Sequence, residues 1–381
     1  MLENWWDRDL EDLQSDRRES LREAAAELWE RFDRERGGFR RLPEDQEGGV
    51  LLFLLEYARR AEDDWARAMA EVTLEERGGG CDPLLACAHL EAYAQTGRPN
   101  YREAACDILD HALKNLRLPG GCFALPGDET VSTQWNAQMI AALAKAYRVL
   151  GEAAYLRAAV DARLFLKNWL TQSNGQIWHR WRNGTPMEEG RLEDYGFCCW
   201  ALTELYESDF SISCLREAEQ LADRMTDIFR DHEGRFLDFH AASASRSGVV
   251  GLALSKLARL TNIERYRDMA REQQPASWEF PDGLALLGMV EELWPTWVLV
   301  CASAQKPPNW LALVGEEYRL TVMAKTGDNS WGLENAAPWL REFPVPESGN
   351  RLYLCRDGVC EASVENLLQL YQHLAPEGAA V

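Results

Sequence analysis

Apolar residues recur every three or four positions along most of the chain, which is the spacing of one face of an α-helix. This period predicts twelve helices in the first three quarters of the chain and hardly any strand there. The helices are predicted near 15–35, 47–60, 63–77, 82–96, 99–117, 131–150, 153–171, 191–207, 212–231, 245–261, 263–274 and 281–294. The pattern therefore predicts an all-α fold for this part.

The predicted helices alternate between two kinds. One kind is apolar on nearly every face, as in 137–147 and 197–202, and the other is amphipathic and charged, as in 215–219. A helix that is apolar all round is buried, whereas a helix with a single apolar stripe lies at the surface. We therefore predict inner helices at 82–96, 131–150, 191–207 and 245–261, and outer helices at 99–117, 153–171 and 212–231.

Two markers repeat at intervals that fit pairs of helices. A large side chain recurs in the outer helices every 51 to 60 residues, at Tyr101, Tyr155, Leu215 and Tyr266. A glycine followed by an aromatic recurs in the loops at 38–39, 121–123, 175–178 and 234–236. Such repeats indicate helical hairpins, and six hairpins closed into a ring bury every inner helix. We therefore predict an (α/α)6 toroid over residues 1–295.

The links between the predicted helices have two lengths. Inner-to-outer links are short, while outer-to-inner links at 36–46, 118–130, 172–190 and 232–244 are long. In a ring of hairpins, all links of one kind lie at one end. The long loops are therefore expected to form a mouth at the N-termini of the inner helices, where free N–H groups favour bound oxygen atoms.

The pattern changes after about residue 295. Short strands are predicted at 297–302 and 318–324, with helices at 308–316 and 335–342 between and after them, then a hairpin at 352–362 and a last helix at 363–374. Residues 296–381 are therefore predicted to form a small α/β appendage.

The predicted hairpin places two cysteines opposite each other. Asp357-Gly358 is a strong signal for a two-residue turn, and counting outward from it sets Cys355 against Cys360. Residues paired in this way lie within reach of a disulfide. The pair is a redox candidate, and the alternative is two reduced thiols, as expected in a cytosolic protein.

Composition narrows the classes of partner. The chain has 62 acidic against 41 basic residues, a net charge of −21, which disfavours nucleic acid and anionic membranes as partners. No apolar stretch is long enough to span a membrane, and no secretory signal is readable, so we expect a cytoplasmic location. Metalloprotease, paired CxxC and Walker motifs are missing from the sequence, so no metal or other cofactor is expected.

Aromatic, imidazole and charged residues concentrate in the long loops of the predicted mouth. A sugar offers apolar faces and hydroxyl edges, which suit aromatic rings, carboxylates and amides. We therefore expect a carbohydrate ligand. The candidate acid–base residues are His179, His240, Glu193 and Asp194, and the candidate ligand-binding residues are Trp135, Asn136, Arg180, Trp181, Tyr195 and Asp238.

These candidates also have structural interpretations. Glu193 or Asp194 can cap a helix, and Trp135 lies on an apolar stripe. Adjacent carboxylates diverge on a helix, so Glu193 and Asp194 do not form a glycosidase pair by themselves. A partner carboxylate would come from another loop, such as Asp128, Glu129 or Asp238.

Six segments, taken in chain order, resemble a known family. They are DRERGGF at 33–39, LEAYAQTG at 90–97, TQWNAQMI at 133–140, EDYGF at 193–197, LARLT at 257–261 and YLCRDGVC at 353–360. Together they resemble the spermatogenesis-associated, thioredoxin-domain-containing proteins of bacteria and animals. The resemblance implies an (α/α)6 barrel similar to N-acylglucosamine 2-epimerases and six-hairpin glycosidases.

The chain also departs from that family. The thioredoxin-like domain is not expected here, because only about a dozen residues precede the first predicted helix. Residues 77–83 form a shorter segment than the resemblance implies, and Thr130 stands where a lysine would be expected. Two hypotheses therefore stay open: a sugar-active epimerase or glycosidase, and a catalytically inert barrel that binds a carbohydrate or a protein partner.

Overall fold

The computed structural model describes residues 4–77, 80–237, 248–273, 282–294, 296–307, 310–317, 319–356, 359–364 and 367–374. In this part of the chain, helices α1 to α12 precede residue 294 in the predicted order. Their bounds are Asn4–Arg31, Glu44–Ala61, Asp64–Glu76, Pro83–Thr96, Pro99–Asn115, Thr133–Leu150, Ala153–Phe165, Leu192–Asp209, Ile212–Phe229, Val249–Thr261, Glu264–Glu272 and Gly283–Leu293. Helix α7 continues into a π-helical turn at Leu166–Leu170. Helix α1 starts at Asn4, well before its predicted position near residue 15. The prediction missed this start because the segment ahead of residue 15 is mostly polar and shows little apolar period.

The even-numbered helices α2, α4, α6, α8, α10 and α12 form an inner ring. Each packs against the inner helix before it and the one after it, and α12 packs against α2, which closes the ring. The odd-numbered helices lie outside. This arrangement confirms the predicted (α/α)6 toroid.

The inner and outer helices differ in burial as predicted. Every side chain of 197–202 in α8 is buried. Its partner α9 buries mainly one stripe, which includes Leu215, Ala218 and Met225, and leaves much of its remaining surface at least partly accessible.

Glycine allows the first and last hairpins to meet. A Cβ atom on Gly283, the first residue of α12, would lie 2.3 Å from the backbone nitrogen of Val50 in α2. On the other side of α2, a Cβ atom on Gly48 would lie 2.6 Å from the Cβ atom of Leu84. Because packed interiors leave no room for extra atoms, side chains at these positions would push neighbouring inner helices apart.

The repeated glycine–aromatic marker has a structural origin. At the end of an outer helix, the chain turns back through a glycine of positive φ, and a residue just after the helix pairs with one just beyond that glycine. The glycines are Gly38, Gly121, Gly175 and Gly234. The paired residues are Phe32 with Phe39, Arg117 with Phe123, Thr171 with Ile177, and Arg230 with Phe236.

A three-stranded sheet interrupts the helical pattern, and the sequence analysis did not predict its strands. Strands β1 (Val131–Ser132), β2 (Trp178–Arg182) and β3 (Thr185–Glu189) pair in that order, and both pairings are antiparallel. Asn183 and Gly184, both with positive φ, form the predicted turn between β2 and β3. The strands escaped prediction because they are short and mostly polar, and alternate too weakly to be recognised.

The C-terminal part contains a mixed four-stranded sheet. Its strands are β4 (Val298–Ser303), β5 (Thr321–Thr326), β6 (Asn350–Arg356) and β7 (Val359–Val364). They lie in the order β5-β4-β6-β7, and β4 and β5 are parallel. Its helices are α13 (Trp310–Glu317), α14 (Ser330–Ala336), a 3-10 turn at Pro338–Glu342 and α15 (Leu367–Leu374). The single helix predicted at 335–342 is thus replaced by α14 and the 3-10 turn.

This part packs against the end of the ring opposite the long loops. Helix α13 contacts α6 and α8, and strand β5 contacts α8 and α10. We call residues 296–374 the appendage. Among the described residues, every helix is too short or too polar to cross a lipid bilayer.

The two cysteines of the hairpin are paired. Strands β6 and β7 set Cys355 opposite Cys360, the register that the turn signal predicts, with 4.0 Å between the Cα atoms and a disulfide between the sulfurs. Cys355 is buried and Cys360 is exposed. The turn residues 357–358 lie outside the described residues.

Candidate functional site at the barrel mouth

The β2–β3 hairpin is held over the N-terminus of inner helix α6. Strand β1 leads directly into α6, and it pairs with β2 so that Val131 lies opposite Trp181. The hydroxyl of Thr133, the first residue of α6, donates to the backbone oxygen of Trp178 at 2.6 Å. The long loop before α8 is therefore attached to the neighbouring hairpin at the mouth.

This attachment brings His179 of β2 against Asp194 of α8. Nδ1 of His179 lies 2.8 Å from Oδ2 of Asp194, which also accepts the backbone N–H of Arg191 at 2.8 Å. The other oxygen, Oδ1, accepts the backbone N–H of Gln134 at 3.0 Å. The Asp194 side chain is inaccessible to solvent, and His179 is 5% exposed.

Burial raises the pKa of Asp194, while the hydrogen bond and charge of His179 and the two backbone N–H groups lower it. An ionised carboxylate only accepts hydrogen bonds, so in its contact with His179 the donor is the Nδ1–H group of the imidazole. In the neutral imidazole the unprotonated nitrogen is then Nε2, which can accept a proton. The arrangement has the form of an imidazole base oriented by a carboxylate.

Two predicted ligand-binding residues hold the mouth loops in place. Asn136 is completely buried, and its side chain exchanges hydrogen bonds with the backbone N–H and C=O of Phe123. The buried hydroxyl of Tyr195 accepts the backbone N–H of Ile177 at 3.1 Å. These two side chains are therefore engaged with the protein itself.

The predicted tryptophans lie in different surroundings. Trp181 is half-buried and packs edge-on against Phe165 of outer helix α7, with 5.3 Å between ring centroids. Trp135, in the first turn of α6, is half-buried beside Phe123. The Trp181 ring thus contacts the outer layer.

The remaining candidates are charged. Arg180 forms an ion pair with Glu188 at 3.8 Å on the β2–β3 hairpin. Glu193 is exposed in the first turn of α8. Asp238 and His240 lie outside the described residues.

Sequence analysis did not single out two other carboxylates of the mouth. Asp82 precedes α4 and accepts the backbone N–H of Leu84, and Asp282 precedes α12 and accepts the backbone N–H of Gly248. Burial raises the pKa of both carboxyl groups. The sequence does carry a signal for these two helix caps, because an aspartate stands directly before the first helical residue in both cases. In α4 it is followed by Pro83, and proline is favoured at the first helical position.

No group of three histidine, cysteine, aspartate or glutamate side chains among the described residues is placed to hold a metal ion.

Comparisons with known proteins find a likeness in structure but none in sequence families. No family model matches the chain, and no curated protein matches it in sequence. The resemblance to the spermatogenesis-associated proteins is therefore not shown by these comparisons.

Solved structures do match. The Lin0763 protein of Listeria innocua has a TM-score of 0.61 and 17% identity, with 73% of this chain and 96% of that chain covered. An inactive α-1,6-mannanase variant of Salegentibacter sp. HEL1_6, in complex with α-1,6-mannotriose, has a TM-score of 0.60 and 12% identity, with 73% and 99% covered.

An unsaturated glucuronyl hydrolase of Bacillus sp. GL1 has a TM-score of 0.58 and 14% identity, with 71% of this chain and 94% of that chain covered. At such low identities, these likenesses establish the fold, that of six-hairpin glycosidases, and leave the activity to be argued from the site.

Proposed function

We propose that this protein binds a carbohydrate at the mouth of the barrel and that His179, oriented by Asp194, exchanges a proton with it. The observation that carries the proposal is the 2.8 Å contact between these two side chains at the N-terminus of an inner helix. It is supported by a fold that sugar hydrolases share, one of them in complex with an oligosaccharide.

The pair fits proton transfer better than two-carboxylate hydrolysis. Glycosidases place two carboxyl groups about 5–9.5 Å apart around the scissile bond. Both oxygens of Asp194 already accept hydrogen bonds from His179 or the backbone, so this carboxylate does not act as one of such a pair. In an epimerisation, Nε2 of His179 would take a proton from a C–H next to a sugar carbonyl, and the electron pair of that bond would pass to the carbonyl oxygen as an enolate. A proton from solvent would then add to the opposite face of the carbon. The imidazolium formed in the first step is stabilised by the Asp194 carboxylate until its proton is returned to solvent.

The mouth also offers groups for binding the sugar. The half-buried ring of Trp135, in the first turn of α6, is the candidate stacking surface, whereas Trp178 lies on the face of β2 opposite His179. The Arg180 side chain, 44% exposed, also lies on that opposite face of β2 and can donate to hydroxyl oxygens there. In this proposal Trp135 binds one face of the sugar ring and His179 performs the chemistry.

A panel of sugars tests both parts. Hexoses, N-acetylated hexosamines, disaccharides and α-1,6-mannotriose are screened for thermal stabilisation, and those that bind are assayed for uptake of solvent deuterium at carbon and for release of reducing ends. We expect deuterium uptake with the wild type and with His111→Gln, a substitution of an exposed histidine on α5. We expect none with His179→Gln. Equal uptake in both variants would refute the role of His179.

The second candidate is a barrel that binds a carbohydrate without turning it over. It is favoured by the burial of His179 and by the complete use of Asp194 in local hydrogen bonds, which together also stabilise the loop. Saturable binding of a sugar with neither deuterium uptake nor bond cleavage would select this candidate.

A further inference from the structure

The end of the ring opposite the mouth has a charged interior. Five inner helices each place an ionisable side chain five residues before their last residue. These side chains are Glu56, Glu91, Lys145, Glu204 and Lys256. They form the first charged layer, inside helices that are otherwise largely apolar.

A second charged layer lies one helical turn further along. Five inner helices place an ionisable side chain two residues before their last residue. These are Arg59, Arg148, Glu207, Arg259 and Glu291. Arg60 of α2 and Arg319 of the appendage complete the set.

Ion pairs connect different helices across both layers. Lys145 of α6 lies 2.7 Å from Glu91 of α4, and Arg319 of the appendage lies 2.8 Å from the same glutamate. Lys256 of α10 lies 2.5 Å from Glu204 of α8. The charged layers therefore tie the ring together and tie the appendage to the ring.

The two layers surround a cavity of about 120 Å³. The appendage lines one side of it with Ala312 and Gly315 of α13 and with Leu320 and Val322 at β5. A cavity of about 150 Å³ is large enough for a molecule such as benzene. The space between the layers can therefore hold a small molecule or ion.

The charges that line this cavity do not balance. Among the described residues, seven cationic side chains face five carboxylates. Nearby carboxylates keep Lys256 and Arg59 charged, since they raise the pKa of each above its ordinary value against the effect of burial. Burial raises the pKa of Glu207, which disfavours its ionised form and so reduces the negative charge around the cavity.

The excess lies in the second layer with Arg60 and Arg319, where five cations face two carboxylates, whereas the first layer has two cations and three carboxylates. The negative ends of the inner helices act on this second layer, because a helix dipole is felt within the last turn. All seven cations form ion pairs, but Glu56, Glu91 and Glu204 are each shared by two of them. An anion in the cavity would give these cations further oxygen acceptors and so stabilise the folded chain.

We propose that this cavity binds one small oxyanion, of the size of phosphate or sulfate, between the charged layers of the ring and the appendage. Guanidinium and ammonium groups are the side chains that bind such oxygens most strongly. The site is independent of the carbohydrate mouth, which lies at the other end of the inner helices.

Equilibrium dialysis of the full chain with labelled inorganic phosphate or sulfate, at constant ionic strength in chloride, tests the proposal directly. We expect saturation at one anion per chain and a saturable rise in the unfolding temperature. An acetate arm shows whether a carboxylate can replace the inorganic ion. Absence of saturable binding of all three anions would overturn the proposal.

Variants locate the site. Lys256→Met removes one of the cations without changing the length of the side chain much, and should weaken anion binding about tenfold or more, the loss of one charge-assisted hydrogen bond. The control Lys167→Met removes a half-exposed lysine of the outer layer and should bind as the wild type does. If Lys256→Met does not fold, Arg319→Met on the appendage replaces it. Unchanged affinity in the folded cavity variant would place the anion elsewhere and refute the site.

Discussion

The carboxylate of Asp194 accepts a hydrogen bond from His179 at 2.8 Å while it also accepts backbone N–H groups from two different inner-helix N-termini. One buried side chain thus joins the hairpin of β2 to helices α6 and α8. The same contact orients the imidazole on which the proposed chemistry depends, so stability and function are coupled at this point.

We expect Asp194→Asn to destabilise the protein by about 1–3 kcal/mol, since its amide nitrogen cannot accept the hydrogen bonds that an oxygen accepts there. Urea unfolding followed by circular dichroism measures the change. Glu193→Gln, at the exposed neighbouring position, should change stability by less than about 0.5 kcal/mol. Equal losses in the two variants would contradict the structural role of Asp194.

The charged interior predicts a loss of stability in acid. Although burial acts in the opposite direction, the charges of Lys256 and Arg148 lower the pKa of Glu204 to about 2, below its ordinary value of 4.5. A lowered folded-state pKa contributes stability above the unfolded value, and this contribution is lost as the pH falls from about 4.5 towards 2.

Replacing Glu204 by glutamine should therefore flatten the dependence of unfolding free energy on pH between 4.5 and 2. It should also cost about 3–5 kcal/mol at neutral pH, because Arg148 and Lys256 lose a buried partner. Glu103→Gln on the exposed face of α5 should leave the pH dependence as in the wild type. A wild-type slope retained in Glu204→Gln would disprove this assignment.

Closure of the ring can be tested at Gly283. Adding a Cβ atom there would place it 2.3 Å from the Val50 nitrogen, so we expect Gly283→Ala to cost about 1–3 kcal/mol through overpacking. Gly327→Ala serves as the control, since nothing lies within 4 Å of its added Cβ atom. Thermal unfolding of both variants measures the difference in stability. If Gly283→Ala is as stable as the control, the close contact between α12 and α2 is contradicted.

The pairing of Cys355 with Cys360 predicts a stability that depends on redox conditions. A disulfide closing so short a loop should contribute about 2 kcal/mol by restricting the unfolded chain. Cys360→Ser should lower the unfolding free energy by this amount in oxidising buffer and change it little under reductant. A wild type whose stability does not respond to reductant would show that the bond contributes nothing.

The ring could be predicted from the sequence, whereas the contact at its mouth could not. The apolar period and the recurrence of Tyr101 and Tyr155 are local patterns, and six equivalent hairpins leave few ways to bury their inner helices. The contact of His179 with Asp194 depends on the pairing of β1 with β2, and these polar strands carry no clear period. Nothing in the spacing of the candidates showed that the side chains of Asn136 and Tyr195 would form hydrogen bonds with the backbone of the mouth loops.

The charged layers show a different limit. Lys145 and Arg148, or Lys256 and Arg259, stand three residues apart within apolar helices, which is a visible pattern. These residues form layers only because all six inner helices end at the same height in the ring, and that alignment follows only from the closed ring.

The central claim is that the mouth binds a carbohydrate, and calorimetric titration of the best sugar from the panel into matched tryptophan variants tests it most directly. Trp135→Leu removes a half-buried ring at the mouth, and Trp169→Leu removes a ring that is 59% exposed on the outer layer. Stacking of a nucleic-acid base on an aromatic ring is worth about 1–3 kcal/mol, and we expect a sugar face on Trp135 to contribute about the lower end of this range. We therefore predict that Trp135→Leu weakens binding at least about fivefold while Trp169→Leu binds as the wild type does. Equal affinity in Trp135→Leu and wild type, or a loss confined to Trp169→Leu, would contradict the claim.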